Sequence, residues 1–596
     1  MKVKILIMLA TIFALLTIKG ITVSATESIC GYTVEKGKNP TFQQVNCMLT
    51  TLAKEYVVPP EIVKAVATQE KGNWKQFDEN GETIISEDGG IGIMQITSYP
   101  PEQKDRLKYD AIFNIEQGVK RLASNFYSRT DIPKINNHSP EKLESWYFAV
   151  MAYNGIKPVN SPLTKCSKTD ISRNKNAYQE EVFNKLEGVY EISTKIDLLS
   201  FDPEEFQYSC TSSENITFKN LQYELVSLTN SKELYTNEND YVEATVNTRL
   251  QNLPSTGNVV KDIQENSVLT VRGLLEYDIN SVANRFNWVP VKAGSQQGYI
   301  ASKYINRIGT RIAGKDRFET AVQISKKGWD STETVLLATA YNFPDALSGG
   351  PLAYKLDAPI LLTQNNELNE KTMNEIVRLG AKKVIVLGGS GAINEKVANK
   401  LRNLNLQVER ISGKDRYETS VAIAKKLGGN PKKAIIAYGQ NFPDALAIAP
   451  YAARHGYPIL LTDGQTISTS VKQSLTGINE TIIVGGTGVI GFNVEKNLKN
   501  STRLSGKERF STAIEILNGL SLSQEEIFFT DGYNYADALT GSVLAAKYNA
   551  PLLLVENKKI PSVISGKVKE LEHFNLLGGN GAINESLVPS FQSLIN

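Results

Sequence analysis

A multidomain chain is predicted: α-helical over its first third, all-β over a short middle stretch, and α/β over its second half. Three observations carry this. Apolar residues recur at helical spacing through residues 43–190, as in Pro60-Glu-Ile-Val-Lys-Ala-Val-Ala-Thr68. Short β-type runs separated by turn residues occupy residues 243–308, among them Val268-Leu-Thr-Val271 and Trp288-Val-Pro-Val291. From residue 309 the sequence repeats itself three times with a period of roughly 95 residues, far longer than a solenoid unit, so each copy is a small domain in an array. At 596 residues the chain exceeds what one domain holds.

The helical part reads in order. Leu49 to Tyr56 forms a short helix and Glu61 to Glu70 a second, buried through Ile62, Val63, Val66 and Ala67. Asn114 to Ser128 begins with an Asn cap and carries Ile115, Val119, Leu122 and Phe126 on one face, and Pro140 to Tyr153 buries Leu143, Trp146, Tyr147 and Val150. Residues 191–242 are polar and without period, and read as an extension followed by a linker. Within each copy of the repeat, apolar runs such as Val335-Leu-Leu-Ala and Val384-Ile-Val-Leu alternate with helical stretches such as Glu370 to Leu379. That pattern makes an α/β unit with a buried, mostly parallel sheet.

Composition narrows the chemistry. A formal net charge of +2 gives no argument for nucleic acid. Met1-Lys-Val-Lys4 is a basic leader, Ile5 to Ile18 an apolar stretch too short to span a bilayer, and Val23-Ser-Ala25 a cleavage site. Residues 1–25 therefore read as a signal peptide and Thr26 as the new N-terminus. No later segment is apolar enough for a membrane helix, so the exported protein is expected to be held at the surface by non-covalent contacts. Four cysteines permit three disulfide connectivities, of which nearest-neighbour pairing gives Cys30–Cys47 and Cys166–Cys210. Only His138, His455 and His573 exist, each isolated, and His138 sits in a polar loop as a surface residue. Zinc peptidases and amidases of the cell wall need two or three His, so neither is expected, no metal and no cofactor is expected, and the reading turns to carboxylate chemistry on sugars.

The candidate site lies between Glu70 and Gln95. A glutamate at a helix end beside Trp74, Ile93 and Met94 loses solvation when ionised, which raises its pKa and keeps it a proton donor near neutrality. Gly90-Ile-Gly-Ile-Met-Gln95 lets backbone approach a ligand, with Met94 as a soft wall and Gln95 as a hydrogen-bonding amide. Glu70, Ser86 to Gln95, Asn114-x-x-x-Gly118 and Ala152-Tyr-Asn-Gly155 together resemble the soluble-lytic-transglycosylase-like domain of the lysozyme superfamily, with Lys71 where that family usually has Ser. The resemblance covers roughly residues 43–190 and implies an α-helical lysozyme-like fold acting on peptidoglycan. It implies Glu70 as the catalytic acid and Ser86, Gly92, Ile93, Met94, Gln95, Tyr153 and Asn154 as substrate-binding, with Tyr153 presenting its hydroxyl to substrate and Asn114 bracing the cleft. Asp78, Glu79, Glu82, Glu87 and Asp88 form an acidic loop from which a second carboxylate could come.

Two further resemblances complete the layout. Val246-Asn-x-Arg249, Pro254-Ser-Thr256, Trp288-x-x-Val291 and Gly298-Tyr-Ile300 resemble a bacterial SH3-like domain, implying a small β-barrel that serves as a spacer or binds wall peptide. Arg311-Ile-Ala-Gly-Lys-Asp-Arg-Phe-Glu-Thr320 returns, with changes, at Arg410 to Thr419 and Arg503 to Thr512, Asn342-Phe-Pro-Asp-Ala-Leu347 at Asn441 and, as Asn-Tyr-Ala-Asp-Ala-Leu, at Asn534, and Gly388-Gly-Ser-Gly391 as Gly-Gly-x-Gly at Gly485 and Gly578. These motifs resemble the cell-wall-binding repeat of type 2, found on surface proteins of clostridia and their relatives, which implies three copies assembled in a ring that holds an anionic secondary wall polymer. Lys315, Arg317, Lys414, Arg416, Lys507 and Arg509 could meet phosphates, though an acid between the two bases allows an internal ion pair for each Arg equally well. The Gly-Gly-x-Gly loops read as tight turns rather than phosphate cradles.

The expected layout is therefore a signal peptide (1–25), a catalytic domain (26–200), an extension and linker (201–242), an SH3-like domain (243–308) and repeats at 309–407, 408–501 and 502–596. The expected function is an exported lytic transglycosylase of a Gram-positive wall, cutting the MurNAc–GlcNAc bond to a 1,6-anhydro product. A muramidase using the same site and an inactive surface-coat or adhesion protein are the alternatives. Peptidoglycan strands and the wall polymer are the expected partners.

Overall fold

The computed structural model describes residues 28–165, 171–210, 214–255, 257–278, 280 and 284–595, so the expected signal peptide lies outside the described residues. The chain divides into two compact units, one reaching to Glu238 and including Val242–Arg307, the other formed by Asn239–Tyr241 and Ile308–Asn596. No helix among the described residues is long and apolar enough to cross a membrane.

The first unit is built on helices α1 (Phe42–Glu55), α2 (Pro60–Glu70), α3 (Lys104–Tyr109), α4 (Ala111–Tyr127), α5 (Tyr147–Asn154) and α6 (Tyr178–Tyr190). Thr41 and Gln44 form a reciprocal cap at the start of α1, and Pro60 opens α2 where a missing N–H costs nothing. The start of α4 departs from expectation. Asp110, not Asn114, is its cap and accepts from the Phe113 N–H at 2.9 Å. Asn114 lies one turn inside and is fully buried. The Cys30–Cys47 disulfide forms as expected; Cys210 is also disulfide-bonded, and Cys166 lies outside the described residues. His138 is not a free surface residue: its ring stacks on Phe126 at 3.8 Å and Nε2 lies 2.9 Å from the Phe126 carbonyl.

The segment expected as extension and linker is part of the fold. Phe206, Ile216, Phe218 and Tyr223 are buried in the same core as Phe148 and Phe183, and Phe148 stacks on Tyr223 at 5.5 Å. Beyond them the chain supplies a buried polar strap. Glu61 accepts from the Ser231 hydroxyl at 2.7 Å and the Lys232 amide at 2.6 Å, while Lys64 pairs with Glu233 at 2.7 Å. Glu233 also accepts from Ser302 and from Asn287, both in the β part, at 2.7 and 2.8 Å. The strap fails as a sequence signal because its residues are charged, and only a partner distant in sequence makes their burial tolerable.

The β part contains strands β1 (Thr248–Gln251), β2 (Val259–Ile263), β3 (Val268–Val271), β4 (Trp288–Ala293) and β5 (Gln296–Ala301), paired in the order β3-β4-β5-β1-β2. The pairs are antiparallel, and alternate residues such as Leu250, Leu269, Val271, Val289, Val291 and Ile300 turn into one core.

In the second unit each repeat is a four-stranded parallel sheet with helices. The first joins Thr334–Thr339 to Ile360–Thr363, Lys383–Leu387 and Gln407–Ile411; the second joins Lys433–Tyr438 to Ile459–Thr462, Glu480–Val484 and Ser501–Leu504. In both, the fourth strand belongs by sequence to the next copy. The third sheet is completed from the start of the array: Gly309–Ile312 runs parallel to Phe574–Leu577. The expected boundaries at 407, 501 and 309 thus cut through shared sheets, because the repeating sequence unit and the folded unit are out of phase by one strand.

Each joint is clasped by an arginine. Arg311 donates to the Gly578 carbonyl at 2.9 Å, Arg410 to Gly388 at 2.9 Å and Arg503 to Gly485 at 2.6 Å, with ion pairs to Glu585, Glu395 and Glu495. Those three glycines hold φ of +100°, +99° and +113°, and a Cβ on them would lie 2.4–2.8 Å from Asp537, Asp345 or Asp444. The Gly-Gly-x-Gly turns therefore lie inside one sheet, where the strand that belongs by sequence to the next copy is added. Three aromatic rings, Phe343, Phe442 and Tyr535, one from each repeat, meet with centroids 5.5–6.0 Å apart.

Candidate functional site

Glu70 is the last residue of α2, and the extended backbone of Lys71 ends the helix there. The helix is buried from Pro60 to Thr68, so the core fixes its direction and leaves the terminal carboxyl at a half-buried position. Burial pushes the Glu70 carboxyl up to about 7, and the charge of Asp88 adds to this. A hydrogen bond from Tyr178 opposes the rise, as do the charges of Arg121 and Lys71. Asp88 itself is exposed and is held low by the Ser86 hydroxyl.

Tyr178 opens α6 and donates its hydroxyl to Glu70 Oε1. Sequence reasoning missed it: Tyr178 follows a polar stretch at a helix start, and only the packing of α6 on α2 brings it to Glu70. The expected Trp74 neighbour has another role. It stacks on Phe42 at 4.5 Å and donates to Thr68 at 3.1 Å.

The loop of expected binding residues divides into a surface and a support. Ser86 accepts from the Gly90 amide at 2.9 Å, and Gln95 donates to the Gly92 carbonyl at 2.6 Å; both remain half-exposed. Asn154 is exposed and accepts from Asn160 at 2.9 Å. Gly92, Ile93 and Met94 are buried, so they form the layer beneath the site rather than its face. Asn114 holds that layer by accepting from the Met94 amide at 2.9 Å and donating to the Ile91 carbonyl at 2.8 Å. A Cβ on Gly92 would fall 2.3 Å from Gln76, and one on Gly118 2.6 Å from Met94. These distances explain why both positions carry glycine. Tyr153 is 4% exposed, and its hydroxyl donates to the Met94 carbonyl at 2.7 Å, so it braces the loop rather than presenting a free hydroxyl. The guanidinium of Arg121 lies 5.3 Å from the Tyr153 ring.

The Tyr178 hydroxyl offers a direct test. It stabilises the ionised form of Glu70, so Tyr178→Phe is expected to raise the Glu70 pKa above 7 and move the alkaline limb of the activity profile upward by about one pH unit. An unchanged alkaline limb in the variant's pH–rate profile would remove Tyr178 from this role.

On the repeats, the expected cations separate into two kinds. Lys315, Lys414 and Lys507 are exposed. Arg317, Arg416 and Arg509 turn inward and donate to the Ala340, Gly439 and Gly532 carbonyls at 2.5, 2.8 and 2.5 Å. The intervening acid caps a helix: Asp316 and Asp415 accept from the Glu319 and Glu418 amides at 2.8 Å. In the first two repeats the acid between the bases therefore serves the helix end. Among the described residues no cluster of three or more His, Cys, Asp or Glu is placed to hold a metal ion.

The model of the family Cell wall binding domain 2 (CWB2) matches residues 311–398, 410–495 and 503–588. The chain is 35% identical over 279 residues to the N-acetylmuramoyl-L-alanine amidase LytC of Bacillus subtilis (strain 168), covering 46% of this chain and 56% of that one. It is 37% identical over 282 residues to the amidase enhancer of the same organism, covering 46% and 39%. Both matches have about the length of the repeat array, and the chain spans roughly half or less of these relatives. Cwp8 from Clostridium difficile aligns at a TM-score of 0.46 and 26% identity over 52% of this chain and 59% of that one. The expected lytic transglycosylase is corrected by these findings: a relative is named an N-acetylmuramoyl-L-alanine amidase, a hydrolase rather than a lytic transglycosylase. The chain carries three CWB2 repeats and is a cell-wall-associated protein.

Proposed function

We propose that this protein is a peptidoglycan hydrolase retained in the wall by its repeats. One observation carries the reading: a glutamate at a helix end whose carboxyl is lifted to about 7, so that near neutral pH it can both give and take a proton. Glu70 donates a proton to the departing group and takes one from the attacking water. Ser86, Gln95 and Asn154 offer hydrogen-bonding groups along the surface of the site, while Gly92, Ile93, Met94 and Tyr153 hold that surface in place. The helical part is read as lysozyme-like and the β part as SH3-like, joined to α2 through the Glu61–Glu233 strap. The repeats hold an anionic secondary wall polymer, with Lys315, Lys414 and Lys507 exposed to meet it and Arg317, Arg416 and Arg509 set behind.

The name of LytC supplies a bond class, the amide of N-acetylmuramoyl-L-alanine, and the products of this chain decide whether the bond is the same. Purified peptidoglycan is digested with the full chain, and newly formed alanine amino groups and reducing sugar ends are counted. Either product, formed by the parent and lost in Glu70→Gln, supports hydrolysis. Release of 1,6-anhydro ends, or no release at all, overturns it.

A further inference from the structure

Two large aromatic side chains stand in water at equivalent places in the array. Tyr341 is 63% exposed and Tyr533 61%, each immediately following the last residue to touch the repeat's arginine. A lone exposed tyrosine is ordinary. Here the same arrangement is built twice. Arg317 lies 5.1 Å from the Tyr341 ring and Arg509 4.7 Å from the Tyr533 ring. Buried Phe318 and Phe510 meet these tyrosines edge-on at 6.1 and 5.9 Å. Each arginine is fixed from behind by a strand-end carbonyl, and its charge reaches an aspartate of a neighbouring repeat, buried Asp537 for Arg317 and half-buried Asp444 for Arg509.

Repeat 2 breaks the pattern with two coupled changes. Tyr417 stands where the others have Phe, and Gln440 where they have the exposed Tyr. Gln440 donates to the Tyr417 hydroxyl at 2.8 Å and accepts from Arg416 at 3.3 Å. The position is closed by an internal polar contact and presents no aromatic face.

We propose that the array carries two glycan subsites of one kind, Tyr341 backed by Arg317 and Tyr533 backed by Arg509, and that repeat 2 carries none of this kind. Each tyrosine offers a flat apolar face to the C–H side of one pyranose ring of the wall polymer. The remaining N–H donors of the arginine lie beside that face, where hydroxyl or phosphate oxygens of the same residue reach them. The inference rests on the reading of the repeats as polymer-binding and narrows it to two of the three copies. Two such contacts on one body hold a polymer far better than either alone.

The test uses the full chain and co-sedimentation with purified Gram-positive cell walls that retain their attached polymer, beside the same walls stripped with cold hydrofluoric acid. Tyr341→Ala and Tyr533→Ala are each expected to weaken binding to polymer-bearing walls by about tenfold or more, since each removes one arm of a bivalent contact. The double variant loses the polymer-dependent part, and Tyr341→Phe with Tyr533→Phe restores it. Gln440→Ala stays within about twofold of the parent, because it takes no part in the bivalent contact. Melting temperatures of the variants match the parent, as exposed side chains require. Undiminished binding by the double alanine variant, or an equal loss in Gln440→Ala, overturns the two-subsite assignment alone. A parent that binds stripped and unstripped walls equally overturns the polymer-retention reading and the subsites with it.

Discussion

Glu70→Gln is expected to lower peptidoglycan release by about 10²–10⁴-fold, the range that a positioned acid–base group contributes. The amide keeps the size of the side chain and still accepts from Tyr178, but has no proton to exchange. Stability moves the other way. With its pKa raised from 4.5 to about 7, folded Glu70 holds a proton that the unfolded chain has released, so its contribution to stability falls as pH rises through that window. Above pH 7 the parent keeps a half-buried charge and the glutamine variant does not. The variant therefore melts at or above the parent temperature there, and the two converge below pH 4.5. Zymography and thermal melts of the same preparations check both halves. Retained activity would remove Glu70 from the chemistry.

The second large effect is structural. Lys64 and Glu233 are both fully buried and pair at 2.7 Å. Lys64→Ala leaves Glu233 with only the neutral donors of Ser302 and Asn287. Breaking such a pair from one side costs about 3–5 kcal/mol, because the remaining charge stays out of water without a counter-charge. The loss is expected as a lowered urea midpoint, with faster hydrogen exchange along α2 and in residues 231–233. Replacing both partners by apolar residues, Lys64→Met with Glu233→Leu, should recover only part of it, because the buried donors of Ser302 and Asn287 then lose their acceptor. A single variant as stable as the parent would show that the strap contributes little to the first unit.

Much of the fold was legible because its signals are local. The 3.6-residue spacing in Ile62, Val63 and Val66, the alternation around Leu269 and Val271, and the repeated Asn-Phe-Pro-Asp-Ala-Leu each report a local element without needing its partner. The glycines at 90 and 92 read as room for a ligand, but a Cβ on them, as on Gly118, would strike the chain's own Ser86, Gln76 and Met94, so they serve internal packing. Illegible were the pairings that depend on distance along the chain. Tyr178 reaches Glu70 across 108 residues, Ser231 reaches Glu61 across 170, and Arg311 reaches Gly578 across 267. The direction of Ile93, Met94 and Tyr153 was also hidden, since a glycine-spaced loop can offer either its side chains or its backbone to a groove. The activity expected from the motifs was corrected by the amidase relatives, whose similarity spans less than half of this chain.

The pairing of Gly309–Ile312 with Phe574–Leu577 gives the repeat array a circular rather than linear logic. Its first strand waits for the last copy to be synthesised, so closure is a late event between segments far apart in sequence, and such contacts form slowly. Once closed, no copy is terminal and none can peel away first. Loss of any one copy then requires two joints to part rather than one.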